Sequence, residues 1–343
     1  MLRSGEARRR GPLALALAAA MTLPATAQPP RFRGILITAE QAAAERLRAH
    51  RKDGANAVVL ALSDDDAGRS REAARRIIDA GFSLHYWVEI GRNPALADAH
   101  PEWMASLQGH PEWRRHFPGA PRPEAGEVIK NYPWVPVLSE EASQAHLRRL
   151  ALLLEDMPSP SGIFLNDLQG APSACGCGNL LCRWTADYGP IRTATGLGND
   201  AAARFVRAAR GLAPKARIIP VWTSECEEQD REQECAGVGC FRGLCWKEYT
   251  AQLMPVASEA DTLAALLPYR ALGRDLPRYG APAGWIGQAL RSFSEMPPRH
   301  QGSAIPAGRL IAVLQGWEVS PEQVRAQWSR ASGRARPVTW FRR

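Results

Sequence analysis

The sequence predicts an α/β fold of the (β/α)8 TIM barrel class, on three observations. Short apolar runs alternate with helix-forming stretches about eight times; the runs are apolar almost throughout; and no glycine-rich turn follows the first of them. Continuous apolar strands belong to parallel sheets covered on both faces. Eight such units in roughly 300 residues close most simply into a barrel. A doubly wound open sheet is the alternative, but it would need a phosphate-binding turn where this chain has Ile37-Thr38-Ala39-Glu40. The isolated Gly196-Leu197-Gly198 reads as a helix lead-in.

Ahead of the first unit, Arg8, Arg9 and Arg10 precede an apolar run from Leu13 to Leu23, and Ala25-Thr26-Ala27 offers small residues for cleavage. Residues 1–27 are therefore expected to be a signal peptide, and residues 28–343 a single barrel domain, secreted or periplasmic. Pro12 stands where a twin-arginine signal carries a large apolar residue, so ordinary export is favoured. No later stretch approaches the about 18 uninterrupted apolar residues that span a bilayer, so no membrane contact beyond the leader is expected. The net charge is +8, of which the leader's four arginines and one glutamate account for three, leaving +5. That charge is not gathered into a basic block with interleaved aromatics, so nucleic acid is not an expected partner.

Gly34 to Ile37 is the first strand, and Thr38-Ala39-Glu40-Gln41 is a capping-box pattern opening a helix that ends near Gly54. Asn56 to Leu62 repeats the strand, and Asp64, Asp65 and Asp66 lead into a helix that stops at Gly81. Phe82 to Val88 is the third strand and ends in Glu89. A long Trp- and Pro-rich excursion from Gly91 to Val137 follows, and such loops are usually functional. Ser139 caps the next helix, with Glu140 and Glu141 in its first turn and Leu147, Leu150, Leu153 and Leu154 on its apolar face.

Gly162 to Leu165 is strand four and runs into Asn166 and Asp167. Asn199 begins a helix that reaches Gly211, and Arg217 to Trp222 is strand five. Leu263 to Leu267 fits a strand or a helix equally well. Trp285 to Phe293 looks helical, Leu310 to Leu314 is strand seven, and Ser320-Pro321-Glu322-Gln323 opens the following helix. Pro337 to Phe341 closes the chain as the last strand.

Barrels place their chemistry at the C-terminal ends of strands. Here those ends carry Trp87 and Glu89, Asn166 and Asp167, Trp222 and Glu225, and Gln315, Trp317 and Glu318. Paired carboxylates are what glycoside hydrolysis needs, one to attack or stabilise the anomeric carbon and one to protonate the leaving oxygen. Tryptophans offer apolar faces to sugar C–H groups, and the amides of Asn166 and Gln315 can bind hydroxyls. Each such residue also has a structural reading as a helix cap, a partner for a loop arginine, or core. Asp167 and Glu225 stand out because each follows a strand and leads into an unusual loop. The repeat His100-Pro101-Glu102-Trp103 and His110-Pro111-Glu112-Trp113 could line a substrate cleft, but it reads better as two helix starts, with Pro and Glu in the first turn.

The strand-end residues, His100-Pro101-Glu102-Trp103, and Gln315-Gly316-Trp317 with Ser320-Pro321-Glu322-Gln323 together resemble secreted barrel proteins described as glycoside-hydrolase-like. The resemblance covers most of the chain after the leader. In related barrel hydrolases with an aspartate nucleophile on strand four and a glutamate acid on strand five, the matching positions are Asp167 and Glu225. The resemblance thus implies those two roles, with Glu89, Trp87, Asn166, Trp222, Gln315 and Trp317 binding a carbohydrate. A glycan-binding or structural barrel without turnover is the alternative.

All seven cysteines fall in two loops, Cys175, Cys177 and Cys182 after strand four, and Cys226, Cys235, Cys240 and Cys245 after strand five. In an exported protein the first reading is up to three disulfides with one thiol left over. The competing reading is a metal centre, a tetrahedral zinc site or an iron–sulfur cluster, although no standard ligand spacing is present. No cofactor is firmly implied.

Overall fold

The computed structural model describes residues 32–104, 106–107, 129–130, 133, 135–168, 191–222, 240–241, 244–245, 254–267, 286–287, 290 and 305–340. Eight strands close into a barrel: β1 (Gly34–Ile37), β2 (Ala57–Ala61), β3 (Ser83–Glu89), β4 (Gly162–Asn166), β5 (Arg217–Trp222), β6 (Leu263–Leu267), β7 (Leu310–Gln315) and β8 (Arg336–Trp340). Every neighbouring pair is parallel, each strand lies beside the next in sequence, and β8 returns to β1 through Gly34↔Val338. Closure removes both sheet edges, and all residues of β1, β4 and β7 are buried. The expected barrel class is the one observed.

Side chains alternate between two apolar layers, as the two-residue period of a strand requires. Leu36, Val59, Trp87, Phe164, Val221, Ala264, Val313 and Val338, one from each strand, fill the interior. Their neighbours in sequence, such as Val58, Ile163 and Ala265, pack outward with the helices. Leu263–Leu267, ambiguous by pattern, is strand β6 because it pairs with β5 on one side and β7 on the other.

The helices α1 (Ala44–Lys52), α2 (Ala67–Asp79), α3 (Pro94–Ala99), α4 (Glu140–Leu154), α5 (Ile191–Leu212), α6 (Met254–Glu259) and α7 (Pro321–Ala331) follow the strands. The Gln41 half of the capping box is formed, its Oε1 accepting from the Thr38 N–H at 2.9 Å, but it opens the 3-10 turn Ala39–Gln41, and α1 starts only at Ala44. Asp66, Ser139 and Ser320 cap α2, α4 and α7, each side chain accepting from a backbone N–H in the first turn. Helix α5 begins at Ile191, eight residues before the expected Asn199, so its backbone takes in Gly196-Leu197-Gly198. Ile286, Gly287 and Leu290 are helical, within the segment expected to be so.

His100-Pro101-Glu102-Trp103 does open a helical turn, the 3-10 segment Pro101–Trp103, with His100 at the N-cap position. The His100 ring stacks on Trp103 at 3.7 Å, and its Nδ1 meets Glu102 Oε1 at 3.0 Å. The second copy, His110 to Trp113, lies outside the described residues, as do the leader and most of the excursion after β3. Among the described residues, no helix is long and apolar enough to cross a membrane.

Candidate active site

Glu89 is the last residue of β3, Asn166 the last of β4, and the two are register partners. They share strand faces with Trp87 and Phe164, which belong to the interior layer, so both side chains are set at the C-terminal mouth of the barrel. There Trp87 Nε1 donates to Glu89 Oε1 at 2.7 Å and Asn166 Nδ2 donates to Glu89 Oε2 at 2.7 Å. Each carboxylate oxygen therefore has a donor, and the carboxylate plane is fixed. Trp87, expected to face a sugar, is only 2% exposed and stacks on Phe164 at 5.9 Å, so it forms the floor beneath Glu89.

The backbone around Glu89 is held as firmly. Ile90 N–H donates to the Asn166 carbonyl at 3.0 Å, extending the β3–β4 pairing past the strand ends. Arg149 of α4 donates from Nη1 to the Glu89 carbonyl at 2.6 Å. The same guanidinium grips Asp64, in the loop after β2, through Nε at 2.8 Å and Nη2 at 2.6 Å. One side chain thus ties two strand ends together.

Asp167 follows Asn166 in the left-handed backbone region, with φ +55, and is half-buried. Glu318, three residues past β7, has φ +53. Aspartate tolerates this region better than most residues, whereas glutamate has no short side chain to compensate. Such strain collects at ligand sites, and here both residues follow strands at the same mouth. Among the described residues Asp156 also has positive φ, and it follows α4 instead.

Gln315, the last residue of β7, is fully buried, and its side-chain amide donates to the Trp317 carbonyl at 2.9 Å. Its own N–H and C=O are both bonded by the Gln327 side chain of α7, at 3.0 and 2.7 Å. Gln327 therefore substitutes for a strand partner at the end of β7 and sets the path toward half-buried Trp317.

Asn166, Asp167, Glu89, Gln315 and Trp317 all lie at strand ends as expected. Trp222 ends β5 opposite Ala265. Glu225 and Cys175, Cys177, Cys182, Cys226 and Cys235 lie outside the described residues. Cys240 and Cys245 are described as backbone only, opposite one another in a short antiparallel pairing. Among the described residues no group of three or more His, Cys, Asp and Glu is arranged to hold a metal ion. Arg149 and Gln327 were missed in the sequence, where each reads as an ordinary polar position on a helix.

No family model and no curated protein matches this chain. Among solved structures, it is similar to a β-galactosidase from the Antarctic haloarchaeon Halorubrum lacusprofundi, with TM-score 0.54 and 14% identity over 91% of this chain and 52% of that one. It is also similar to a β-galactosidase from the psychrophilic Marinomonas ef1, with TM-score 0.53 and 12% identity over 91% of this chain and 54% of that one. The likeness is one of fold. This chain spans about half the length of either protein.

Proposed function

We propose that this barrel is a glycoside hydrolase, with a carbohydrate bound at the C-terminal mouth. The observation that carries the proposal is the Glu89 carboxylate, held at that mouth by Trp87 and Asn166, with Asp167 next along β4 in strained backbone. In the proposed mechanism Asp167 attacks or stabilises the anomeric carbon and Glu225 protonates the leaving oxygen. Glu89, with Asn166, binds sugar hydroxyls. Trp317 and Trp222 remain the proposed stacking surfaces, while buried Trp87 and Gln315 serve by fixing Glu89 and the β7 end. Export through the leader fits an extracellular glycan.

For the cysteines we favour disulfides over zinc or an iron–sulfur cluster. Opposed residues of an antiparallel pair have Cα atoms about 4.5–5.5 Å apart, within the range a disulfide bridges. The register of Cys240 with Cys245 supports that reading for this pair.

The test is a panel of 4-nitrophenyl glycosides offered to the full chain and to Asp167→Asn and Glu225→Gln. Loss of about a thousandfold or more in kcat/KM in either variant, with the unfolding midpoint retained, is expected for groups acting on the reacting atoms. Unchanged turnover in both would overturn the assignment. Glycan retention in affinity electrophoresis without turnover of any glycoside would favour the binding-protein alternative.

A further inference from the structure

We propose that the N-terminal mouth of the barrel, opposite the one that carries Glu89 and Asp167, binds a small oxyanion such as a phosphate or a carboxylate. The inference is independent of the catalytic reading.

Three basic side chains converge there from strand starts. His85 of β3, Gly162 of β4 and Arg217 of β5 are successive register partners. Gly162 keeps the wall between them thin: a Cβ at that position would fall 2.9 Å from His85 Cδ2 and 2.9 Å from Ile219 Cδ1. Arg336, the first residue of β8, reaches across to the starts of β6 and β7, where its Nη2 donates to Thr262 Oγ1 at 3.1 Å and to the Gly308 carbonyl at 2.5 Å.

The cluster has donors to spare, and among the described residues the carboxylate set beside it, Asp261, is already taken by the Ile218 N–H at 3.2 Å and by Arg210 Nη1 at 3.1 Å. His85 is 4% exposed, yet among the described residues its Nδ1 has no hydrogen-bond partner, and neither has the buried Nε of Arg336. The Arg217 guanidinium is exposed and has no hydrogen bond or ion pair among the described residues. The electrostatics agree. Burial first, and then the charges of Arg217 and Arg336, hold His85 down at about 4, against the opposing effect of the Ser83 backbone. Arg336 is itself made less basic, by burial and then by Arg217. Among the described residues no carboxylate is a cause of either shift.

Two like charges beside a neutral imidazole form an incomplete arrangement. An oxyanion would complete it, because guanidinium N–H groups pair with planar or tetrahedral oxyanions through charge-assisted bonds, and the repulsion between the arginines would turn into shared attraction. The hydroxyls of Ser83 and Ser161, 3.0 Å apart at the same end, add further polar groups. Size is limited from within. Phe32 packs edge-on against His85 at 5.4 Å, and Phe164 and Trp87 fill the interior beyond it.

The experiment titrates the full chain with inorganic phosphate and, separately, with malonate, by calorimetry at constant ionic strength set with chloride. Saturable binding of at least one at millimolar concentration is expected, with about tenfold weaker binding in Arg217→Gln, the loss of one charge-assisted contact. Arg217→Glu should abolish it. The Arg217 side chain has no hydrogen bond to lose among the described residues and repels Arg336, so neither variant should lower the unfolding midpoint, which separates loss of binding from loss of folding. The tighter of the two ligands identifies a phosphate-bearing or a carboxylate-bearing partner. No saturable binding of either anion, or binding undiminished in both variants, would overturn the proposal.

Discussion

Asn166 donates its side-chain amide to Glu89 Oε2 at 2.7 Å, from the end of one strand to the end of its register partner. Removing that donor in Asn166→Ala leaves one oxygen of a half-buried carboxylate without its partner, an expected cost of about 1–3 kcal/mol by urea unfolding. Asn166→Asp is the sharper probe. It places two carboxylates in contact, so one of them must take up a proton at a raised pKa. The Asp variant should therefore be weakest near neutral pH and recover relative to Asn166→Ala as the pH falls. A constant difference between the two variants across that range would show that Glu89 and residue 166 do not interact.

Gly162 is expected to tolerate no side chain. A methyl group there would press on His85 and Ile219, each at 2.9 Å and each packed inside the barrel. Gly162→Ala should cost about 1–3 kcal/mol, the usual range for overpacking. Ile219→Val removes the Cδ1 atom that would be struck, so adding it to Gly162→Ala should restore part of the loss. A double-mutant cycle that gave strict additivity would contradict this packing.

Much of this framework was legible in the sequence. Near-continuous apolar runs at β1, β2, β3, β4, β5 and β7 identify parallel strands because a barrel buries both faces of each. Leu263–Leu267 was ambiguous because five apolar residues carry no period; pairing with β5 and β7 decides it. Glu89 and Asn166 were visible as strand ends. The strand-end position of Trp87 points to substrate, but its alternation with Glu89 points to the interior. Two residues apart on one strand, the pair must share a face, which puts the indole beneath the carboxylate. Arg149 and Gln327 were illegible for another reason: their partners are 60 or 85 and 12 residues away, and nothing local to a helix names a distant carbonyl.

Acid should unfold this protein earlier than its carboxylates alone would. His85 and His146 are both pushed down to about 4, chiefly by burial. For His85 the Ser83 backbone opposes the shift, and Arg217 and Arg336 add to it; for His146 the Val135 backbone opposes and Arg149 adds. Unfolded, both return to about 6.5. The unfolded chain then binds more protons below pH 6.5, so stability is complete above that pH and is lost as the pH falls toward 4. Each histidine contributes on the order of 3 kcal/mol over that window. His146→Gln should remove about half of the combined slope between pH 6.5 and 4, read as unfolding free energy against pH; an unchanged slope would exclude His146 as a source.

Arg149 is the remaining support of the Glu89 end of β3, and its worth depends on which of its bonds matters. The ion pair with Asp64 is bidentate, but the Asp64 side chain is 54% exposed, so solvent screens it and its coupling should be under about 1 kcal/mol. The bond to the Glu89 carbonyl is different. Arg149 is 18% exposed, and the carbonyl it serves belongs to the last residue of a barrel strand. Arg149→Lys keeps the charge and loses the planar fork, so one ammonium must choose between Asp64 and the carbonyl. The Lys variant should therefore lose about 1–2 kcal/mol, and Arg149→Ala more, whereas Asp64→Asn should lose less than either. If glycoside turnover is found, the same order should hold for kcat, because Arg149 acts through the position of Glu89 and touches no substrate itself. A loss in Asp64→Asn as large as that in Arg149→Ala would assign the effect to the ion pair instead.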